Sequence, residues 1–285
     1  MSPYTRPMSV HATVAILGAG AIGEVLVDGL LAAGWAPDDL ILAARREERR
    51  VEVEAATGVS CVLDAAEAAR GREVVVIAVK PADVVALLGQ IRGAVTGDQV
   101  VITLAAGVPT AVFEQALGEV PVVRAMPNTP AQIAQAITAL APGRHASAVA
   151  VDHARAVLEA VGETIVLDES LLDAVTAVSG TGPAYVFILA EALVEAAIRE
   201  GLPWHAAERL VEQTIRGAGA LLAGVDASPA RLRAQVTSPG GTTAAAVHVL
   251  EERGFRALIE DAVWAAAQRS RDLGAAISGS PADDA

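Results

Sequence analysis

The sequence predicts an α/β protein in two parts, an N-terminal Rossmann-type doubly wound parallel sheet followed by an all-α dimerisation domain. Three observations predict it. The apolar run Thr13-Val-Ala-Ile-Leu17 leads straight into the GxGxxG pattern Gly18-Ala-Gly-Ala-Ile-Gly23 and then into helical sequence, the strand, glycine turn and helix of a dinucleotide-binding unit. Continuous apolar runs then alternate with helical patterns as far as Leu167, as in a parallel sheet covered on both faces. From Leu171 onward only helical patterns remain. The boundary therefore falls between Leu167 and Asp168, with residues 1–12 and 278–285 read as flexible ends.

Length and charge narrow the classes. A chain of 285 residues has room for two domains of ordinary size. A net charge of −13 with no basic cluster argues against a nucleic-acid partner. Cys61 is the only cysteine, so no internal disulfide forms and a reducing cytoplasm fits. The polar start, Met1 to Ala12, lacks the apolar core of a signal peptide. The most apolar long stretch, Leu171 to Ile198, is interrupted by Asp173, Gly180, Pro183, Glu191 and Glu195, so no membrane span is expected.

In order, strands are expected at 13–17, 40–44, 59–63, 73–79, 99–104, 120–124, 136–140 and 163–167, with helices at 24–33, 65–70, 83–91, 109–117 and 147–161. In the glycine pattern, Gly18 permits the tight turn, Gly20 the approach of a pyrophosphate, and Gly23 the packing of helix on strand. The second strand runs into Arg45-Arg46 where an NAD-binding chain often carries Asp or Glu. Arginines there suit a 2′-phosphate, so NADP(H) is preferred, with NAD(H) the alternative. Ligands of such sheets bind beyond the carboxyl ends of the strands, where Lys80, Ala105 to Gly107 and Asn128 fall. Lys80 is the only lysine. It reads equally as a cofactor contact and as a strand-end lysine reaching to water.

In the second half, helices are expected at 171–178, 183–200, 204–222, 229–234, 243–253 and 255–273. The stretch from Ala184 to Ile198 is apolar around most of its circumference and demands burial. A domain of about 115 residues buries few such helices alone, so an intertwined homodimer is expected, built on this domain. Ser179-Gly-Thr-Gly-Pro183 interrupts the helical pattern, with hydroxyls on Thr176, Ser179 and Thr181. Ser238-Pro-Gly-Gly-Thr-Thr243 precedes an apolar helix, with Pro239 expected in its first turn. Bare glycine backbone and unpaired amides at a helix start favour a carboxylate or phosphate. A plain serine cap with a Pro-Gly turn is the structural alternative. The five histidines form neither an i, i+4 pair nor HExxH, so no metal site is expected.

Taken together, the chain resembles the pyrroline-5-carboxylate reductase family from Val14 to about Leu273. The carrying motifs are Gly18-Ala-Gly-Ala-Ile-Gly23, Ala78-Val-Lys-Pro81, Arg124-Ala-Met-Pro-Asn-Thr-Pro130, Ser179-Gly-Thr-Gly-Pro-Ala-Tyr185 and Gln235-Val-Thr-Ser-Pro-Gly-Gly-Thr-Thr243. The family's usual SGSGPAY reads SGTGPAY here, and Thr181 keeps the hydroxyl. The resemblance implies NAD(P)H-dependent reduction of 1-pyrroline-5-carboxylate to proline, and helical dimers that often assemble into decamers. It places the cofactor loop on Gly18, Ala19, Gly20, Ala21, Ile22 and Gly23. It places the nicotinamide side on Ala78, Val79, Lys80, Pro81, Ala105, Ala106, Gly107 and Asn128. Substrate carboxylate falls on Ser238 and the amides of Gly240, Gly241, Thr242 and Thr243, with Thr176, Glu169 and Asp226 as further substrate-side positions. Asp226 is shorter than the Glu of some relatives. Thr243 is the candidate for hydrogen-bonding the substrate nitrogen.

Three other activities share parts of this layout. A β-hydroxyacid dehydrogenase expects a lysine on an early helix of the second domain, which has none. A general imine reductase needs no carboxylate nest. A non-catalytic NADP(H) sensor would bind cofactor without turnover, and the Ser238 to Thr243 stretch argues against it.

Overall fold

The computed structural model describes residues 12–224 and 228–278. Asp226 and nearly all of the expected flexible ends lie outside the described residues. The eight expected strands form one sheet: β1 (Val14–Leu17), β2 (Leu40–Ala43), β3 (Ser60–Val62), β4 (Val74–Ile77), β5 (Val100–Thr103), β6 (Val122–Met126), β7 (Ala136–Pro142) and β8 (Gly162–Val166). Their order is β3-β2-β1-β4-β5-β6-β7-β8. The helices between them are α1 (Ala21–Ala32), α2 (Glu47–Thr57), α3 (Ala65–Ala69), α4 (Val84–Ile91), α5 (Thr110–Leu117) and α6 (Ala148–Leu158).

Successive side chains of a strand face opposite sides of its sheet. Val14 and Ile16 enter a core with Leu26 and Leu30 of α1 and Val157 of α6. Ala15 and Leu17 enter a second core with Leu88 of α4 and Phe113 of α5. Both faces are therefore dry, which is why the inner strands read as unbroken apolar runs. Cys61 is buried, and that burial pushes its thiol pKa up.

Besides α2, which was not among the expected helices, three details differ from the expectation. Strand β7 runs antiparallel to β6 and parallel to β8. The β6–β7 link holds only one 3-10 turn, Thr129–Ile133, too short for the crossover that a parallel neighbour needs. Helix α1 starts at Ala21, inside the glycine pattern, so Ala21, Ile22 and Gly23 are its first turn. Pro109 lies just before α5, and Pro239 lies inside the Ser238–Gly241 turn, ahead of the helix that starts at Thr242.

Beyond β8 come α7 (Leu172–Val175), a π-turn at Thr176–Gly180, α8 (Gly182–Arg199), α9 (Trp204–Leu222), α10 (Pro229–Gln235), α11 (Thr242–Glu252) and α12 (Phe255–Ser278). By packing, the chain forms two units. One runs to Gly180 and takes back the residues from Ala266 onward; the other is Thr181–Ala265. The division thus falls at the π-turn, later than Leu167/Asp168, because α7 and the end of α12 pack on the sheet unit. The helical run Glu169–Arg199 is long and apolar enough, by length and composition, to cross a membrane. Helix α8 buries none of its residues within the chain, and Phe187 and Ile188 are 63% and 66% exposed.

Candidate active site

The first unit gathers the expected cofactor residues along one edge of the sheet. Strands β2, β1, β4, β5 and β6 are neighbours, and their carboxyl ends carry Arg45, Gly18, Ala78, Ala105 and Asn128 in that spatial order. The chain order reverses between β1 and β4, the switch point at which ligands of open sheets bind.

Each glycine of the turn has its own reason. The Gly18 amide donates to the Ala43 carbonyl at 3.0 Å. Its φ is +127°, and a Cβ there would lie 2.6 Å from the Ala78 carbonyl oxygen. A Cβ on Gly23 would strike the Gly18 carbonyl oxygen, so α1 sits directly on the turn. A Cβ on Gly20 would meet nothing within 4 Å. Gly20 is the N-cap of the 12-residue α1 and offers no side-chain cap. The first amides of α1 and the open side of Gly20 are thus left for an acceptor that approaches the backbone closely, and they fit a dinucleotide pyrophosphate.

The loops on either side close the edge. Asn128 Oδ1 accepts from the Ile137 amide at 3.1 Å, pinning the start of the β6–β7 turn. Gly107 has φ +76°, and α12 presses on it: a Cβ there would lie 3.2 Å from the Ser270 carbonyl oxygen and 3.3 Å from the Gly274 nitrogen. Ala78 and Ala105 are buried, Ala106 and Pro81 are half-buried, and Lys80 is exposed. Arg45 and Arg46 are both exposed. Arg45 pairs with Asp83 at 2.9 Å; the Arg46 side chain has no ion-pair or hydrogen-bond partner among the described residues.

Sequence reasoning missed two groups. One is Arg49, whose Nε donates to the Ala19 carbonyl in the glycine turn at 2.8 Å and whose guanidinium pairs with Glu24 of α1. It braces the turn from α2. The spacing from the glycine pattern gave no signal, because the contact is made through the fold. The other is a polar network around buried Arg124. Its Nη1 lies 3.4 Å from Glu169 Oε1 and its Nη2 3.8 Å from Asp173 Oδ1. Glu169 also accepts from the Thr110 amide and hydroxyl, both at 2.7 Å. Proline at position 109 offers no side-chain cap for α5, and Glu169 supplies one from 59 residues away. Ser270 of α12 donates to Asp173 at 2.6 Å. A charged residue inside the apolar run Val122-Val-Arg-Ala125 was the available signal. Glu169, a substrate-side position by resemblance, thus also serves as a helix cap and counter-ion.

Thr176 opens the π-turn and donates to the Leu172 carbonyl at 2.8 Å. Gly180 closes the turn, where a Cβ would come 2.7 Å from Met126 Cε. The turn therefore packs on the end of β6, just before Asn128. A π-turn widens the backbone helix by one residue and recurs at functional sites.

In the helical unit, Ser238 to Gly241 form a turn closed by the Gly241 amide donating to the Ser238 carbonyl at 3.0 Å. Gly240 has φ +71°, a conformation that glycine adopts without strain. A Cβ on Gly241 would strike Ser238 Oγ, so the serine hydroxyl lies directly over the glycine backbone. Gly241 is the N-cap of α11, with no side-chain cap. The first amides of α11, including those of Thr242 and Thr243, have no intrahelical acceptor. Ser238 and Gly240 are exposed and Thr243 is half-buried. Farther along α11, Arg256 beside Glu251 holds that carboxyl below the usual carboxylate range.

Comparison with known proteins gives a match for each end of the chain. Residues 169–273 match the family model for pyrroline-5-carboxylate reductase dimerisation, and residues 13–107 match that for coenzyme F420-dependent NADP oxidoreductases. The chain is 43% identical to the pyrroline-5-carboxylate reductase of Mycobacterium tuberculosis, over 92% of this chain and 97% of that one. A solved pyrroline-5-carboxylate reductase from Coxiella burnetii superposes with a TM-score of 0.87 at 35% identity, covering 93% and 99% of the two chains. The Plasmodium falciparum pyrroline carboxylate reductase, solved with NADP bound, gives a TM-score of 0.82 at 26% identity, covering 92% and 98%. The chain belongs to the pyrroline-5-carboxylate reductase family.

Proposed function

We propose that this protein reduces the C=N bond of 1-pyrroline-5-carboxylate to give L-proline, the last step of proline biosynthesis, using NADPH in preference to NADH. The observation that carries the reading is the uncapped start of α11 behind the Ser238–Gly241 turn, in a chain whose other unit carries a glycine turn fitted to a dinucleotide.

The nicotinamide supplies the hydride when bound. The residues of the chain hold and orient. Gly18 to Gly23 would take the pyrophosphate on the first amides of α1, and Arg45 and Arg46 the 2′-phosphate. Ala78 to Pro81, Ala105 to Gly107 and Asn128 would border the nicotinamide end. Ser238 and the amides of Gly240 to Thr243 would hold the substrate carboxylate, since amides and helix dipole both favour an anion. Thr176, Glu169 and Asp226 would complete the substrate side. A cationic ring nitrogen accepts hydride at the neighbouring carbon more readily than a neutral one. Thr243 would hydrogen-bond that nitrogen; a neutral hydroxyl is a weak acid, so its work is positioning.

The test is direct. Purified protein mixed with pyrroline-5-carboxylate should oxidise NADPH faster than NADH and yield proline. No oxidation with either, from protein that binds NADPH, would sink the reading. Thr243→Ala should lower kcat about 10- to 100-fold, the scale of a misplaced reacting group, with little change in KM for NADPH. Unchanged kinetics would remove Thr243 from the mechanism.

The helical unit reads as a homodimer interface, with decamers as the larger assembly and the cytoplasm as the setting. Support comes from the exposed apolar flank of α8 and from the dimerisation match at 169–273. A run of this composition could also enter a bilayer, and the dimerisation match favours a second copy as its cover. Sedimentation should give a dimer or a multiple of it. A monomer at micromolar concentration would overturn the assignment.

A further inference from the structure

Asp83 ends the 3-10 turn Pro81–Asp83 and stands at the N-cap of α4. Its backbone is αR, with φ −93° and ψ −9°, and the 3-10 turn runs straight into α4, the Val84 amide donating to the Pro81 carbonyl; the carboxylate is thus free of a capping task. Asp83 does not cap α4. Its Oδ1 lies 2.9 Å from Nη1 of Arg45 instead. The two residues belong to the loops after β4 and after β2, the strands on either side of β1. Their ion pair therefore spans the end of the strand that carries the glycine turn. The Arg45 side chain is 76% exposed and that of Asp83 32%. Pairs this accessible to water are weak, and a phosphate, with more charge and more acceptor oxygens, can compete for a guanidinium.

We propose that Asp83 is a specificity-determining residue: by holding the Arg45 guanidinium it competes with the 2′-phosphate of NADP(H) and narrows the preference over NAD(H) that the paired arginines create. The inference rests on the reading that Arg45 faces that phosphate. NADH has no 2′-phosphate, so its affinity is indifferent to the partner of Arg45. Asp83 acts on one of the two cofactors only.

Equilibrium titration calorimetry with NADPH and with NADH tests this on the intact protein and on Asp83→Asn, Asp83→Ala, Arg45→Ala and the double variant Arg45→Ala with Asp83→Asn. Asp83→Asn keeps the size of the side chain and removes its charge. Both Asp83 variants should bind NADPH about two- to five-fold more tightly, the scale of an exposed ion pair, and bind NADH unchanged. The gain should disappear when Arg45 is absent, as coupling between contacting residues requires. A gain that persists without Arg45 would show the carboxylate repelling the phosphate directly and overturn the competition. Unchanged cofactor discrimination in both Asp83 variants, with Arg45→Ala still weakening NADPH, would overturn the role of Asp83 alone. If Arg45→Ala leaves the NADPH-to-NADH affinity ratio as it was, the assignment of Arg45 falls as well.

Discussion

Arg124→Ala is expected to destabilise the protein by about 3–5 kcal/mol, the cost of stripping one partner from a buried ionic network. The side chain of Arg124 is 7% exposed and sits between Glu169 and Asp173, themselves 29% and 25% exposed. Without it, two carboxylates are left close together in a poorly hydrated site. One of them still caps α5 through Thr110, and the other still accepts from Ser270. Neither hydrogen bond replaces the lost charge. At about 2–4 °C per kcal/mol for chains of this general size, the melting temperature should fall by roughly 10 °C. Thr110→Val removes one neutral hydroxyl from the same network and should cost only about 1 kcal/mol. Thermal melts of the two variants in parallel check the argument. Equal melting shifts would mean that the charge of Arg124 contributes nothing of its own.

Gly18→Ala and Gly20→Ala should separate folding from cofactor binding. At Gly18 an added methyl meets the Ala78 carbonyl oxygen at 2.6 Å and Val79 Cγ1 at 3.2 Å, at φ +127°. Strain of this kind costs about 1–3 kcal/mol, so Gly18→Ala should melt lower and bind NADPH about 10- to 100-fold more weakly. At Gly20 the methyl has open space and the backbone is extended, φ −96° and ψ −177°. Gly20→Ala should therefore melt like the parent. It should still lose NADPH affinity, because the methyl stands where the backbone must be bare. Calorimetric titration decides: wild-type affinity in Gly20→Ala would mean that the pyrophosphate does not approach this residue.

The glycine turn, the parallel strands as far as β6 and the turn at Ser238 were legible because each is written in local sequence. Gly18, Gly20 and Gly23 lie within one turn and one helix start, so spacing alone states their geometry. The antiparallel course of β7 was hidden because it depends on the length of the link at 127–135, not on the composition of the strand itself. The meeting of Glu169, Thr110, Arg124, Asp173 and Ser270 was hidden for a different reason. They come from separate elements of the fold; the charge of Arg124 within an apolar run calls for a partner but does not say which residues supply it. Asp83 showed the same limit: its partner Arg45 lies 38 residues away, on a different loop.

The closing stretch of α12 makes the nucleotide-binding half a late arrival during synthesis. Gly107 and Gly274 lie so close that each fills the place where the other would carry a side chain, and Ser270 ties α12 to Asp173 nearby. At about 5–20 residues per second on the ribosome, the loop after β5 waits on the order of ten seconds for its cover. Until then the growing chain can lay down the sheet but not the finished edge on which a dinucleotide would rest. A nonsense mutation anywhere in the helical segment should thus harm nucleotide binding as well as assembly, and its product should be a chaperone client with an unfinished Rossmann edge.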